Sequence, residues 1–386
     1  QGYDNMIVPI VDMLKYASPM SYDVLSYVVL AQLSTPSKDR LKQDGLNVSL
    51  WMHSLSSFCG NLYKKYPSVE LVGLLQYIAN TLKSGQSLQL LLLRDLVTKM
   101  SGIEVLEDIS HEQLLAQAGG ETLRNVVTDL LGIAKNTKRS STRLKDSLVK
   151  HGLVMPLFLL IAQQRSACAY TTDTPHLKML GELYDRCQET LDQFQAFLAS
   201  QLSPAQYAEL LPTLGELCGS YQLEPEVAFF IARPALGALN AAAAAAKAAA
   251  AAKGKDDKLA LKEEKAAEEG PAPPEEAQQV RDVLPASSWE LLSPHLYYTF
   301  WSLSLYDIFV PKERYDSEVK RLRRQVEEID RYQAPFGVSH ADPDQKAAAL
   351  KRKKDKERCL TNQDKLKLEL QEQTAHHKLV MVRLKE

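Results

Sequence analysis

Four places in this sequence bring together residue types that could do chemistry: two cationic runs, one histidine–cysteine spacing and one histidine pair. The first run, Lys135 to Lys145, sets five positive charges in eleven residues among Ser and Thr hydroxyls, and includes Lys138, Arg139, Arg143 and Lys145. Cations and hydroxyls together suit phosphate oxygens. The plainer reading is an interhelical connection that caps the next helix through Ser141 or Thr142. The second run, Lys351 to Arg358, is denser and has the composition of a nuclear localisation or nucleic-acid patch. Asp355 and Glu357 interrupt it, and a solvated helix face is the alternative. Neither run has interleaved aromatics for base stacking, so contact with nucleic acid would be to the backbone and not sequence-specific.

The other two places promise less. His53 and Cys59 stand six residues apart, which does not put them on one helix face. The pair His376–His377 has no Cys, Asp or Glu at ligand spacing. Phosphate-loop, dinucleotide-binding, nucleophile-elbow and HExxH patterns are absent. The expectation is a protein without catalytic residues, cofactor or metal, whose work is binding.

The elements that would position such residues read as helices. From Tyr3 to about Pro234, segments of 12 to 20 residues alternate with short breaks such as Ser18-Pro19, Gly119-Gly120 and Ser203-Pro204. Trp51, Leu55, Phe58, Leu62 and Tyr66 mark one helical face, and Leu71, Leu74, Leu75, Ile78 and Leu82 another. Leu88 to Leu93 is apolar nearly all round, so it should be sandwiched between neighbours. Alternating β-branched runs are scarce. Short-looped helices in series predict an all-α fold, an irregular α-solenoid of the HEAT or armadillo type, with an irregular bundle as the alternative.

Four regions follow: a helical body over 1–239, a low-complexity Ala/Lys/Glu-rich exposed insertion over 240–279, an aromatic helix over 280–311, and a charged helical arm over 312–386 that could form a coiled coil. The aromatic helix should dock on the body through Trp301, Tyr306 and Phe309, because such side chains bury much apolar area. Val319, Leu322, Val326 and Ile329 then fall three to four apart among charges, a narrow seam suited to one partner helix. Gln345 to Glu386 reads as a second long helix with a weak register: Leu366, Leu370, Val380 and Leu384 share a frame with Gln373 and His377.

Charge is unevenly spread. Of 46 Lys and Arg and 48 Asp and Glu, 19 and 14 lie from 312 to 386, so that stretch carries +5 and the part before it −7. A basic arm on an acidic body fits phosphate or an acidic protein surface, and equally a solvated mixed-charge helix. Five widely spaced cysteines without a CxxC pair indicate reduced thiols. No run of 18 apolar residues occurs outside the alanine tract, so no membrane span is expected. A first residue of Gln, and a last residue inside a helical pattern, suggest a segment of something longer.

The string SPHLYYTFWSLSLYDIFVP followed by YDSEVKRLRRQ resembles the middle of the THO complex subunit 2 family. The resemblance continues in GYDNMIVPIVDMLKY, WMHSLSSFCGNLYKKYP, LVGLLQYIANTLKSG, AKNTKRSSTRLKDSLVKHGLVMPLFLLIAQQR, AFFIARP and KDKERCLTNQDKL, and covers most of 1–234 and 285–365. Residues 240–279 depart from it. The resemblance implies a nuclear helical-repeat scaffold in a multimeric assembly. Its members hold the other THO subunits, help recruit a DEAD-box RNA helicase, and couple transcription to messenger RNA packaging and export within the TREX complex. It brings no catalytic residues. The lysine-rich tail of full-length members lies beyond this segment, and direct RNA-backbone binding through the cationic runs stands as the alternative function.

Overall fold

The computed structural model describes residues 3–36, 38–45, 47–104, 109–130, 133–171, 176–236, 275–290, 293–331 and 343–384. Among them the only β feature is an isolated antiparallel bridge between Leu41 and Val48, so the fold is all-α. In chain order the helices are α1 (Ile7–Met13), α2 (Pro19–Ser34), α3 (Leu50–Lys65), α4 (Val72–Lys83), α5 (Leu90–Ser101) and α6 (His111–Ala118). Next come α7 (Glu121–Leu130), α8 (Ile133–Lys150), α9 (Val154–Thr171), α10 (Leu177–Gln201), α11 (Pro204–Glu209) and α12 (Leu214–Gly219). After them run α13 (225–236), α14 (Glu275–Val283), α15 (Pro294–Ser302), α16 (Leu305–Ile308), α17 (Lys312–Arg331) and α18 (Pro343–Arg383). The expected insertion lies outside the described residues except for 275–279, which open α14.

Local chemistry sets the helix ends. Ser18 accepts from the Ser21 N–H at 3.2 Å, with Pro19 in the first turn of α2. Ser110 with Gln113, Ser203 with Gln206, Thr213 with Glu216, and Ser304 with Asp307 form reciprocal capping boxes, each satisfying N–H groups that the helix start leaves open. Gly102 stops α5 in the left-handed region at φ 78°, where a side chain would be strained.

The chain forms two compact units, residues 1–105 with 136–302, and residues 106–135 with 303–386. In the first, α3 packs on α5 and α1, α10 on α9 and α5, and α4 on α9 and α2. Leu75, Ile78, Leu92, Leu93, Phe158 and Phe194 fill its core. The five positions marked from Leu71 to Leu82 are all buried, as are Leu90 to Leu93. On α3 the expected face packs against the core but is not its most buried part. Leu62 is buried as expected and Trp51, Leu55, Phe58 and Tyr66 are half-buried against the core, while Met52, Ser56, Cys59, Gly60 and Tyr63, outside the expected set, lie inside as well. The reason is a close crossing built on small residues. Ser56 Oγ donates to the Leu91 carbonyl at 3.0 Å, and a Cβ on Gly60 would stand 3.0 Å from the Asp95 carbonyl oxygen. Large-residue spacing does not register such a face.

The second unit joins α6, α7, α16, α17 and α18, so residues 106–135, expected in the body, pack with residues from 303 onward. Helices α17 and α18 pair along their length, and α7 lies on α18. Leu123, Val126, Tyr315, Leu322 and Leu366 form its core. The division falls between Ser302 and Leu303, inside the aromatic block. There the Ser304–Asp307 box starts a new helix.

Candidate interaction site

The polar centre of the second unit is its most built feature. Tyr315 on α17 is fully buried, and its hydroxyl accepts from the Gly120 N–H at 2.9 Å. The same hydroxyl shares its proton between the Glu369 carboxylate, at 3.2 Å, and the Gln373 amide oxygen, at 3.0 Å, both on α18. Glu369 caps α7, accepting from the N–H groups of Thr122 at 2.7 Å and Leu123 at 3.0 Å. A carboxylate there is favoured by the unpaired N–H groups and the positive end of the helix dipole. Gln373, also fully buried, donates to the carbonyls of Ala118 at 2.8 Å and of Tyr306 and Phe309 at 3.1 Å each. Burial raises the Tyr315 hydroxyl pKa well above the usual phenol range, so it remains protonated.

One turn further, His376 Nε2 meets Asp307 Oδ1 at 2.6 Å and His377 Nδ1 lies 3.0 Å from the Asp307 carbonyl. The histidine pair therefore ties α18 to α16. Among the described residues no group of three or more His, Cys, Asp or Glu could hold a metal ion. The thiol of Cys59 is fully buried and pushed up to about 12 by burial, far from a nucleophilic thiolate.

The four seam residues have different surroundings. Leu322 is buried, and Val319 packs against the same cluster, beside Leu366 and Leu370 of the chain's own α18. Val326 and Ile329 are half-buried. Two salt bridges flank the inner half: Glu318, itself buried, pairs with Arg314 at 3.0 Å and Arg321 at 2.6 Å. The inner half of the seam is thus occupied within the chain. The aromatic trio is divided too. Trp301 belongs to the first unit, stacked edge-on with Tyr297 at 6.3 Å, under the guanidinium of Arg233 at 6.0 Å. Tyr306 and Phe309 belong to the second, where they offer their carbonyls to Gln373 and the Tyr306 ring meets His376 at 5.7 Å.

The first cationic run lies within α8, not at a connection. Two of its hydroxyls turn back on the main chain: Thr142 Oγ1 donates to the Lys138 carbonyl at 3.0 Å, and Ser140 Oγ to the Met100 carbonyl at 2.6 Å. Arg143 points inward. It donates to the carbonyls of Tyr63 at 2.6 Å and Tyr66 at 3.2 Å, and also to that of Val69. This guanidinium holds the end of α3 and is not available to a phosphate. Lys145 pairs with Asp146 at 2.8 Å, while Lys138 and Arg139 are exposed. In the second run Lys351, Lys353 and Lys354 are exposed and Lys356 pairs with Asp330 at 2.6 Å. Missing from the sequence reading were Tyr315, Glu369 and Asp307. Their one signal was the set of polar residues, Gln373 and His377, in an apolar frame beside the Gly119-Gly120 break.

Fold and site together define an all-α protein whose buried polar groups serve helix-to-helix contacts. The family described as transcription factor/nuclear export subunit protein 2 matches residues 289–386, and that described as transcription- and export-related complex subunit matches residues 1–56. Over all 386 residues the chain is 42% identical to THO complex subunit 2 of Homo sapiens, of which it covers 23%. It is 39% identical over 401 aligned positions to THO complex subunit 2 of Arabidopsis thaliana, covering 21% of that protein. With THO complex subunit 2 of Saccharomyces cerevisiae it shares 25% identity over 324 positions, 83% of the chain and 18% of the relative. The chain belongs to the THO complex subunit 2 family and spans about a fifth of the length of these relatives.

Proposed function

We propose that the chain is a scaffold segment of the THO complex, working in the nucleus within TREX to couple transcription to messenger RNA packaging and export. Its helical body, of solenoid character, seats other THO subunits and helps recruit a DEAD-box RNA helicase, which supplies the ATP chemistry. The observation that carries this reading is collinear identity along the whole chain to relatives from a mammal and a plant. Deleting these residues from the longer protein is expected to remove the helicase and at least one THO subunit from the purified assembly. Full recovery of both would sink the proposal.

A second reading, direct binding of the RNA backbone, is favoured only by the exposed cations Lys138, Arg139, Lys351, Lys353 and Lys354. Affinity for single-stranded RNA should then fall steeply with salt, and alanine at Lys138 and Arg139 should lower the slope by about one unit per lost phosphate contact. An affinity indifferent to salt rules it out.

A further inference from the structure

We propose that a cavity at the start of α5 binds a carboxylate carried beside a leucine-sized apolar group, as a peptide presents at its C-terminus or at an acidic residue next to an apolar one. The cavity, about 500 Å³, lies within the first unit, between residues 40–45, residues 85–89 and the first turns of α10. Its placement owes nothing to the assembly proposed above. The first helical bond here runs from the Leu90 N–H to the Ser87 carbonyl at 3.1 Å, so the N–H groups of Leu88 and Gln89 have no carbonyl behind them. Both residues line the cavity, and a helix start of this kind favours negative charge. Ser87 lines it as well. That side chain is only 5% exposed, yet its hydroxyl makes no hydrogen bond with any described residue. A buried hydroxyl is ordinarily paired, so this one is spare for a ligand.

Two more side chains of the lining add donors. Arg40 spends two N–H groups on neutral oxygens, Gln86 Oε1 at 2.9 Å and the Leu33 carbonyl at 3.3 Å, and pairs with no carboxylate among the described residues. Gln86 takes that bond on its amide oxygen, which leaves its N–H groups to give. Asp44, the one acidic residue of the lining, turns its oxygens to the Asn47 main-chain N–H at 3.1 Å and the Asn47 amide at 2.7 Å. Donors around a single guanidinium without a carboxylate partner suit one negative charge, so a carboxylate fits better than a phosphate dianion. Leu41, Leu88, Met179 and Leu183 make an apolar wall, the last two one turn apart on α10. A volume of that size holds more than a bare anion. No Phe, Tyr or Trp lines it to stack a nucleobase.

The test titrates fluorescein-labelled short peptides against the full chain by anisotropy. One ends in leucine with a free carboxylate, one is its C-terminal amide, and one is the amide with Asp before the leucine. A carboxylate peptide is expected to bind about tenfold or more tighter than the plain amide. The stronger of the two names the source, a chain terminus or an acidic side chain. Arg40→Gln should erase the preference. Ser87→Ala should weaken the carboxylate peptide about fivefold, with the unfolding midpoint unchanged because that hydroxyl holds nothing else in the chain. Equal binding of all three peptides, or binding of none, overturns the site. So does displacement by inorganic phosphate at lower concentration than by N-acetyl-leucine, or a Ser87→Ala chain that binds like the parent.

Discussion

Arg143 shows how one side chain can be taken out of the pool of surface charges. It bridges three main-chain carbonyls at the exit of α3, and its planar fork reaches them together in a way that an ammonium cannot. Replacing it with Met strands those carbonyls. The expected cost is about 2–3 kcal/mol, the scale of lost bonds to a charged donor, read from the urea midpoint of the full chain. Lysine should rescue little. Gln373 makes the opposite kind of test, since it donates as a neutral amide. Gln373→Glu places a carboxylate against the carbonyls of Ala118, Tyr306 and Phe309. A loss of about 2–3 kcal/mol is expected near neutral pH, easing in acid as the new group protonates and regains a donor. A variant as stable as the parent would show that those carbonyls do not depend on this amide.

At the scale of elements, helices announced by large apolar residues were legible, and contacts made by small or polar residues were not. Helix α4 reads directly from its leucines because they fill the face that is buried. On α3 the close approach to α5 runs through Ser56 and Gly60, which carry no hydrophobic signal. Gly60→Ala is therefore expected to be costly although alanine is the better helix former. The new Cβ would sit 2.8 Å from Lys99 Cγ and 3.0 Å from the Asp95 carbonyl, an overpacking worth about 1–3 kcal/mol. An unfolding temperature at or above the parent's would refute the crossing. The same limit explains the cationic run on α8. Its Ser and Thr suggested a connection, yet in a packed helix the hydroxyls of Ser140 and Thr142 bond to carbonyls and the run continues unbroken. On α18, Gln373 weakened the register in the sequence, whereas in the fold it fills a buried position that only its amide could satisfy.

For the whole molecule, the all-α class followed from helical periodicity, while the joining of 106–135 to residues beyond 303 did not. That pairing is non-local: it sets Leu123 and Val126 against Tyr315, Leu322 and Leu366, and adds single hydrogen bonds that leave no periodic trace. The first unit has its own pH signature. Burial holds the thiols of Cys59 and Cys187 at about 12 and that of Cys218 at about 11, against an ordinary 9.0. Above pH 9 the unfolded chain releases protons that the folded one retains. The stability these groups contribute is therefore present in full below pH 9 and is lost as pH rises toward 12. Equilibrium unfolding between pH 8 and pH 11, about that range, should show this decline, and Cys59→Ala should make it shallower. A flat profile would contradict the burial of these thiols.

The node around Tyr315, Glu369 and Gln373 has a consequence for the order in which the molecule is made. Glu369 caps the start of α7 from 247 residues downstream, and Gln373 reaches Ala118 across 255. At ordinary synthesis rates of about 5–20 residues per second, α6 and α7 leave the ribosome roughly 10–50 seconds before the side chains that complete them. During that interval the first turn of α7 and the apolar face of Leu123 and Val126 have no native partner. The second unit is thus completed only once α18 has been made, and until then a nascent chain exposes a surface that chaperones would recognise.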